Sequence, residues 1–320
     1  MAKDLVFGID IGGQSAKYGI VNMGGDVLAQ DIWETATPPT DAKEYVDTLA
    51  RALKALLKKA GMAEDRIFGI GVGAPNGNYY NGCIECAPNL PWAHDKVEFA
   101  RMLEEKMGIP VKLTNDANAA ALGEMKYGVA QGMRNFIMIT LGTGVGSGIV
   151  IDGKVVYGHD GFAGELGHTI AVRDGRACGC GRNGCLEAYC SSRGVVRTAC
   201  EWLETSSVPS SLRDVKEITS KAVGEAAAAG DVLAIRVLEY TGTILGESLA
   251  DFIAFSAPEA IILFGGVTNA GKYLLDPTQK AMEENVLNLW KGKVKLLRSG
   301  LNQSDAAILG ASALGWEADA

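Results

Sequence analysis

The chain has 320 residues, 48% of them hydrophobic, enough for two domains or for one large α/β domain with its own core. A formal net charge of −8, with no basic cluster interleaved with aromatics, argues against a nucleic-acid surface. The start, MAKDLVFGID, has the pattern of neither a signal peptide nor an anchor, and no apolar run reaches the length of a bilayer span.

Leu5 to Ile9 reads as a buried strand. Asp10-Ile-Gly-Gly follows, then a second strand at Ala16 to Val21, a Gly24-Gly25 turn and a third strand at Val27 to Trp33. No helix follows the glycines of the first turn, so this is not a dinucleotide fingerprint, and it lacks the Walker lysine. Glycines still let backbone N–H groups approach an anion closely. Asp10 at the strand end suits either a water-mediated Mg2+ site or an ordinary hairpin carboxylate.

Ala42 to Ala60 is an amphipathic helix, with Val46, Leu49, Leu53 and Leu56 on one face and Gly61 as its stop. Ile67 to Val72 is a strand, and Asn78 to Trp92 is loop-like. Cys83 and Cys86 in that loop form a bare C-x-x-C without a second pair, a weak metal signal. Val97 to Met107 is a second amphipathic helix and Val111 to Leu113 a short strand. Asn115-Asp116 then opens an Ala-rich stretch. Both residue types cap helices well, and a carboxylate at a strand-to-helix junction is also able to face a ligand.

Phe136 to Thr140, the LGTGVGSG turn, Ile149 to Ile151, Asp152-Gly153 and Lys154 to Tyr157 repeat the opening pattern. Ile9-Asp-Ile-Gly-Gly and Ile139-Thr-Leu-Gly-Thr-Gly read as two copies of one phosphate-holding device, one per half. That arrangement suggests two domains of similar topology. Ser192 to Trp202, Ser211 to Ala229 and Val232 to Phe255 read as helical. The strand Ala260 to Phe264 ends in Gly265-Gly266, which suits either the approach of a flat ring or a tight turn. Val294 to Leu297 is a last strand, and Ser304 is placed to cap a final helix from Asp305 to Trp316. No low-complexity linker appears, so the domain boundary is expected to be a hinge within continuous structure.

The richest chemistry lies between Gly164 and Ser191. Cys178, Cys180 and Cys185 stand as C-x-C-x4-C, with His168 upstream. One histidine and three thiolates make the ligand set of a closed tetrahedral zinc (Zn2+) site. The alternative, buried free cysteines, sits badly in a loop carrying Asp174, Arg176, Arg182 and Asn183. Four ligands leave no open position, so the zinc is expected to build the site and not to react. An odd number of cysteines and a thiolate cluster both point to a reducing cytoplasm.

Glu165-x-Gly-His168 followed by C-x-C-G-x-x-G-C-x-E, ending at Glu187, resembles the signature of the ROK family of bacterial sugar kinases and related repressors. The resemblance takes in Asp10-Ile-Gly-Gly, Asn115-Asp116, Leu141 to Gly148 and Gly265-Gly266, hence nearly the whole chain. It implies an α/β fold of two actin-like (ribonuclease H-like, hexokinase/Hsp70-type) domains around a central cleft. The small domain would comprise 1–116 plus 305–320, and the large one, with the zinc loop, 117–304. The last helix would pack back on the small domain.

Carried over, the resemblance makes Asp116 the catalytic base and Asn115, Glu165, His168 and Glu187 the sugar ligands. Asp10, Gly12, Gly13, Thr143 and Gly144 would hold phosphate, and Gly265 and Gly266 would flank the adenosine. Glu165, His168 and Glu187 would then put sugar-facing groups on both sides of the metal loop, with the Gly-rich turns outside it in the chain, so the metal is expected to couple to the sugar pocket and hardly at all to the nucleotide pocket. The implied activity is ATP- and Mg2+-dependent phosphorylation of a hexose, glucose to glucose 6-phosphate first, as a cytoplasmic glycolytic homodimer. Partners would be the sugar and ATP, without nucleic acid or membrane. An N-acetylhexosamine kinase or a sugar-sensing repressor are the alternatives. The repressors carry a helix-turn-helix before the first hairpin, and Leu5 already begins that hairpin. Two positions depart from the family pattern: Gln14 replaces a threonine, and Asn76 stands where a Pro-Gly pair is common.

Overall fold

A computed structural model describes residues 3–34, 39–302 and 305–317. Ser304, read as the cap of the last helix, lies outside the described residues. The chain forms two compact units. The first is Met1–Met133, Val155–Ala163 and Gly300–Ala320; the second is Arg134–Lys154 and Gly164–Ser299.

The first unit opens with β1 (Leu5–Ile11), β2 (Ser15–Asn22) and β3 (Val27–Glu34), then α1 (Ala42–Ala60) and β4 (Ile67–Gly73). Two short strands, β5 (Ile84–Glu85) and β6 (Lys96–Val97), precede α2 (Phe99–Met107), β7 (Val111–Thr114) and α3 (Asp116–Tyr127). In the second unit β8 (Phe136–Leu141), β9 (Val145–Ile151) and the brief β10 (Lys154–Val155) lead to α4 (Glu187–Cys190) and α5 (Ser192–Thr205). Then follow α6 (Ser220–Ala228), α7 (Val232–Ser256), β11 (Ala260–Phe264), α8 (Lys272–Asn285) and β12 (Lys295–Arg298). The last helix, α9 (Ala306–Gly315), returns to the first unit.

The two main sheets have one topology, β3-β2-β1-β4-β7 and β10-β9-β8-β11-β12. In the first, β1 to β3 form an antiparallel meander, and β4 and β7 add in parallel. In the second, β8 pairs antiparallel with β9, and β11 and β12 add in parallel. This is the strand order of the actin-like, ribonuclease H-like domain, present twice, as the repeated strand-glycine-strand pattern predicts.

β1 is apolar at almost every position because both of its faces are covered. Leu5, Phe7, Ile9 and Ile11 pack with Leu49, Leu53 and Leu103 of α1 and α2. Val6 packs with Ile308 and Leu309 of α9. Each such side chain, when buried, contributes about 1.5–3 kcal/mol. The α9 face is built on glycine: a Cβ at Gly8 would lie 2.1 Å from Ile308 O, and one at Gly71 would lie 1.9 Å from Ala311 O. The helix therefore rests on the sheet backbone itself.

The structure differs from the sequence reading in three places. The first unit runs on to Met133, not to Asp116, because α3 packs against α9 at the Gly123–Gly310 contact. The helix expected from Ser211 to Ala229 is split into a one-turn helix at Ser211–Asp214 and α6. Ser210 and Ser211 donate to Asp231 Oδ2 at 2.8 and 2.8 Å, and the Thr219 side chain caps α6. Such local bonds compete with a continuous helix. Finally, α8 has no counterpart in the reading, which assigns nothing between Gly271 and Val294; it forms with Pro277 inside it, at the cost of an intrahelical hydrogen bond. It is held against α7, where a Cβ at Gly246 would lie 2.4 Å from Thr278 O. Among the described residues, no helix is long and apolar enough to cross a membrane.

Gly71→Ala would drive α9 off the sheet. We expect a loss of about 3 kcal/mol, seen as a melting temperature lower by several degrees. A change of less than a degree in scanning calorimetry would show that α9 adjusts freely.

Candidate functional site

In the first unit, parallel pairing sets the carboxyl ends of β1, β4 and β7 side by side. Asp10 pairs with Gly73, and Gly73 with Thr114. Ligands of open α/β sheets bind at such strand ends. A Cβ on Gly73 would lie 3.6 Å from Asp116 Cα and 4.0 Å from Asp10 Oδ1, so the two aspartates flank one glycine.

Asn115 caps α3, its Oδ1 accepting from Asn118 N–H at 3.0 Å. The capping reading thus holds for Asn115, and its amide nitrogen has no part in the cap. Asp116 is exposed in the first helical turn, and its Oδ1 accepts from Ala117 N–H at 2.9 Å. Desolvation of its carboxyl raises its pKa above the ordinary aspartate value, against the pull of the backbone N–H bonds it accepts. Asp10 is less exposed, and burial, followed by the Asp116 charge, lifts its pKa to about 6 against the pull of Lys17.

The turn after Asp10 is closed by Gly12 N–H donating to Ser15 O at 2.8 Å. Gly13 lies against Asn89, since a Cβ there would meet Asn89 O at 2.9 Å. Gln14 points outward, exposed. Asn76 has a left-handed backbone, φ 52°, which Asn tolerates better than most residues. Its Nδ2 donates to Glu85 O at 3.0 Å and Cys86 O at 3.1 Å, so it braces the loop that follows.

In the second unit, His168, Cys178, Cys180 and Cys185 offer ligand atoms all within 4.8 Å of one another. His168 Nδ1 lies 3.7 Å from Cys178 Sγ, and Cys180 Sγ lies 3.6 Å from Cys185 Sγ. Four ligands about 2.3 Å from a tetrahedral ion would stand about 3.8 Å apart, so the cluster fits zinc. Burial pushes the Cys178 thiol up to about 12, and a doubly charged ion is what would hold it as thiolate.

The loop around these ligands is held by side chains that carry no signal in the sequence. Arg176, almost buried, donates to Thr198 Oγ1 at 2.8 Å and Glu201 Oε2 at 2.5 Å, and its guanidinium stacks 4.7 Å from the Tyr189 ring. Its own N–H donates to Tyr189 OH at 2.8 Å. Ser147 donates to Gly164 O and accepts from Leu166 N–H at 3.1 Å, pinning both flanks of exposed Glu165.

Glu187 is half-buried, and its Oε2 accepts from Val145 N–H at 3.0 Å. The turn Gly142–Gly146 leaves Thr143 exposed, with Gly142 N–H donating to Gly144 O at 3.0 Å. Gly265 adjoins it: φ is 105°, and a Cβ there would lie 2.5 Å from Leu141 O. Gly266 is different, because a Cβ there meets nothing within 4 Å. The structure therefore gathers Asp10, Gly12, Gly13, Asn115 and Asp116 in the first unit. In the second it gathers Thr143, Gly144, Gly265, Gly266, Glu187 and the metal cluster.

Two outcomes are expected from this geometry. Asp10 is an acid whose pKa rises on folding, so it costs stability once pH exceeds its unfolded value, and the cost is complete above its folded value of about 6. Without magnesium, Asp10→Asn should melt higher than wild type, by a margin of about 3 kcal/mol near pH 7.5 that shrinks to about 1 kcal/mol near pH 4.5. A margin independent of pH would refute the shift. Purified protein should carry about one zinc per chain by mass spectrometry, and Cys185→Ser should carry much less. Equal metal content in the two would remove Cys185 from the ligand set.

The family model described as ROK family matches residues 6–317. A glucokinase of Halalkalibacterium halodurans is 36% identical over 88% of this chain and 86% of its own. A glucokinase of Streptomyces coelicolor is 34% identical over 98% of both chains. Among solved structures, a ROK family glucokinase from Streptomyces griseus, in complex with glucose and AMPPNP, superposes with a TM-score of 0.80 at 32% identity, covering 98% of this chain and 99% of that one. With the signature residues assembled and the match running nearly end to end, this chain belongs to the ROK family.

Proposed function

We propose that this chain is an ATP-dependent hexose kinase of glucokinase type, converting glucose to glucose 6-phosphate and ADP. The observation that carries the reading is the Asp116 carboxylate, exposed at the start of α3 and set beside Asp10 at the end of β1. The relatives that are glucokinases, and the solved neighbour with glucose and AMPPNP, support the acceptor and the donor.

Phosphoryl transfer is largely positioning plus neutralisation of spreading charge. Asp116 takes the proton of the attacking sugar hydroxyl, and partial desolvation tunes its carboxylate toward that role. Asp10, ionised above about pH 6, would hold Mg2+, and the ion would supply positive charge against the phosphates. The N–H groups of Gly13, Thr143 and Gly144 face phosphate oxygens, while the Gly12 N–H closes the first turn through Ser15 O. Gly265 and Gly266 admit the adenosine, and the space over Gly266 supports this.

Asn115 offers its free amide nitrogen, and Glu165 and Glu187 their carboxylates, to sugar hydroxyls. His168 turns Nδ1 toward Cys178, leaving its other ring nitrogen for a hydroxyl. Zinc is structural in this reading. The thiolates suit the reducing cytoplasm, and a net charge of −8 suits a protein that binds neither nucleic acid nor membrane. A homodimer acting in glycolysis is the assembly and setting that family membership favours.

A coupled ADP-release assay over glucose, mannose, fructose, N-acetylglucosamine and N-acetylmannosamine should give the highest kcat/KM for glucose. Preference for an N-acetylated sugar would replace the acceptor. Asp116→Asn should keep glucose binding and lower kcat by roughly 10²–10⁴. Turnover near wild type in that variant would remove Asp116 as the base.

A further inference from the structure

The metal loop and the Gly142–Gly146 turn meet through one carboxylate. Glu187, two residues beyond Cys185, begins α4. Its Oε2 accepts from Val145 N–H at 3.0 Å, and its Oε1 lies 3.7 Å from Cys178 Sγ. A Cβ on Gly144 would sit 2.5 Å from the same Oε2, so the carboxylate lies directly over the turn. Two more contacts come from the same stretch of chain. Ser192 N–H donates to Gly142 O at 2.8 Å, and a Cβ on Gly167 would lie 2.0 Å from Val145 O.

A turn of glycines has few side chains to define its own shape. This one is fastened from outside, by residues 167, 187 and 192, which bracket the three cysteines. The sequence places the phosphate turn far from the metal ligands; the fold sets them against each other. The expectation that the metal couples hardly at all to the nucleotide pocket rested on chain order; the contacts of this turn with residues 167, 187 and 192 argue the other way.

We propose that Glu187 is a positioning residue that transmits the state of the metal loop to the phosphate-holding turn, so that metal occupancy sets nucleotide affinity through the Glu187–Val145 bond. The inference rests on the kinase reading of that turn. With the metal bound, Cys178 and Cys185 are fixed and the Glu187 carboxylate is carried to the Val145 N–H. When they are released, the N–H loses its acceptor and the neighbouring N–H groups of the turn lose their common orientation. Supporting contacts at metal sites are typically worth about 10–100-fold in function.

Two near-isosteric variants separate reach from charge. Glu187→Gln keeps the reach and an accepting oxygen; Glu187→Asp keeps the charge and draws the carboxylate back by one methylene. ADP with magnesium, and separately glucose, are titrated calorimetrically into wild type and both variants. Zinc content and thermal melting are measured on the same samples, and each titration is repeated after zinc depletion.

We expect Glu187→Gln to bind ADP within about threefold of wild type, while Glu187→Asp and zinc-depleted wild type bind it about tenfold or more weakly. Zinc depletion of Glu187→Asp should then cost little further ADP affinity, the non-additivity of one shared route. Glucose affinity should fall in Glu187→Gln, which a simple folding defect would not restrict to one ligand. ADP binding by Glu187→Asp as tight as wild type overturns the inference. So does zinc depletion that weakens wild type and Glu187→Asp by the same factor. If zinc-depleted protein does not stay folded, the contrast of the two zinc-loaded variants decides alone. Wild type that binds no adenine nucleotide removes the kinase reading itself; wild type that binds ADP while Glu187→Asp is unaffected removes only the coupling.

Discussion

Backbone-to-backbone packing at glycine is the constraint on which this architecture depends. Main-chain groups approach closely only where no Cβ intervenes. Gly8 and Gly71 let α9 lie directly on the first sheet, and Gly123 meets Gly310 where α3 crosses it. Because α3 begins at Asp116, seating α9 and α3 on one another also places the candidate base. The second unit uses the same device: Gly242 and Gly246 of α7 bring α8 within backbone distance. Dense packing of this kind transmits displacement, since a well-filled interior has little slack.

Repetition of one sheet topology explains why the Gly-rich turn appears twice. In each unit the antiparallel β-turn-β entry places a Gly-rich turn at the end of the central strand, after Asp10 in one and after Leu141 in the other. The copies then diverge. The first turn adjoins two carboxylates whose mutual repulsion and burial favour a neighbouring cation. The second has no such pair and is instead gripped by Glu187, Ser192 and Gly167, which belong to the metal-loop region. One turn is organised by charge, the other by scaffolding.

The scaffold has its own support. Arg176 carries a charge into nearly full burial, and such a charge is tolerated only when paired and hydrogen-bonded. Glu201, Thr198 and the Tyr189 ring supply those partners, so the loop bearing three cysteines is tied to α4 and α5. Removing Glu201 would leave the guanidinium buried without its counter-charge, so the loop depends on this network as well as on the cluster itself.

Much of this was legible in the residues themselves. Apolar periodicity and glycine stops located α1 to its terminal residues, and the strands β1 to β4, β7, β8 and β11 to within a residue or two, because these signals are local. The His168, Cys178, Cys180, Cys185 cluster was legible for the same reason: its ligands lie close in sequence, and the spacing alone brings them together. The pairing of Asp10 with Asp116 was not, since only the parallel register of β1, β4 and β7 makes neighbours of them. Helix α8 has no counterpart in the reading; it forms with a proline inside it, against a glycine-lined neighbour. Above all, Glu187 read as a sugar ligand from its motif, while its bond to Val145 spans forty-two positions of chain. The elements and the His-Cys cluster were readable from the chain because their causes act over a few residues; which carboxylate faces which backbone group follows from strand register and close packing summed over a whole unit.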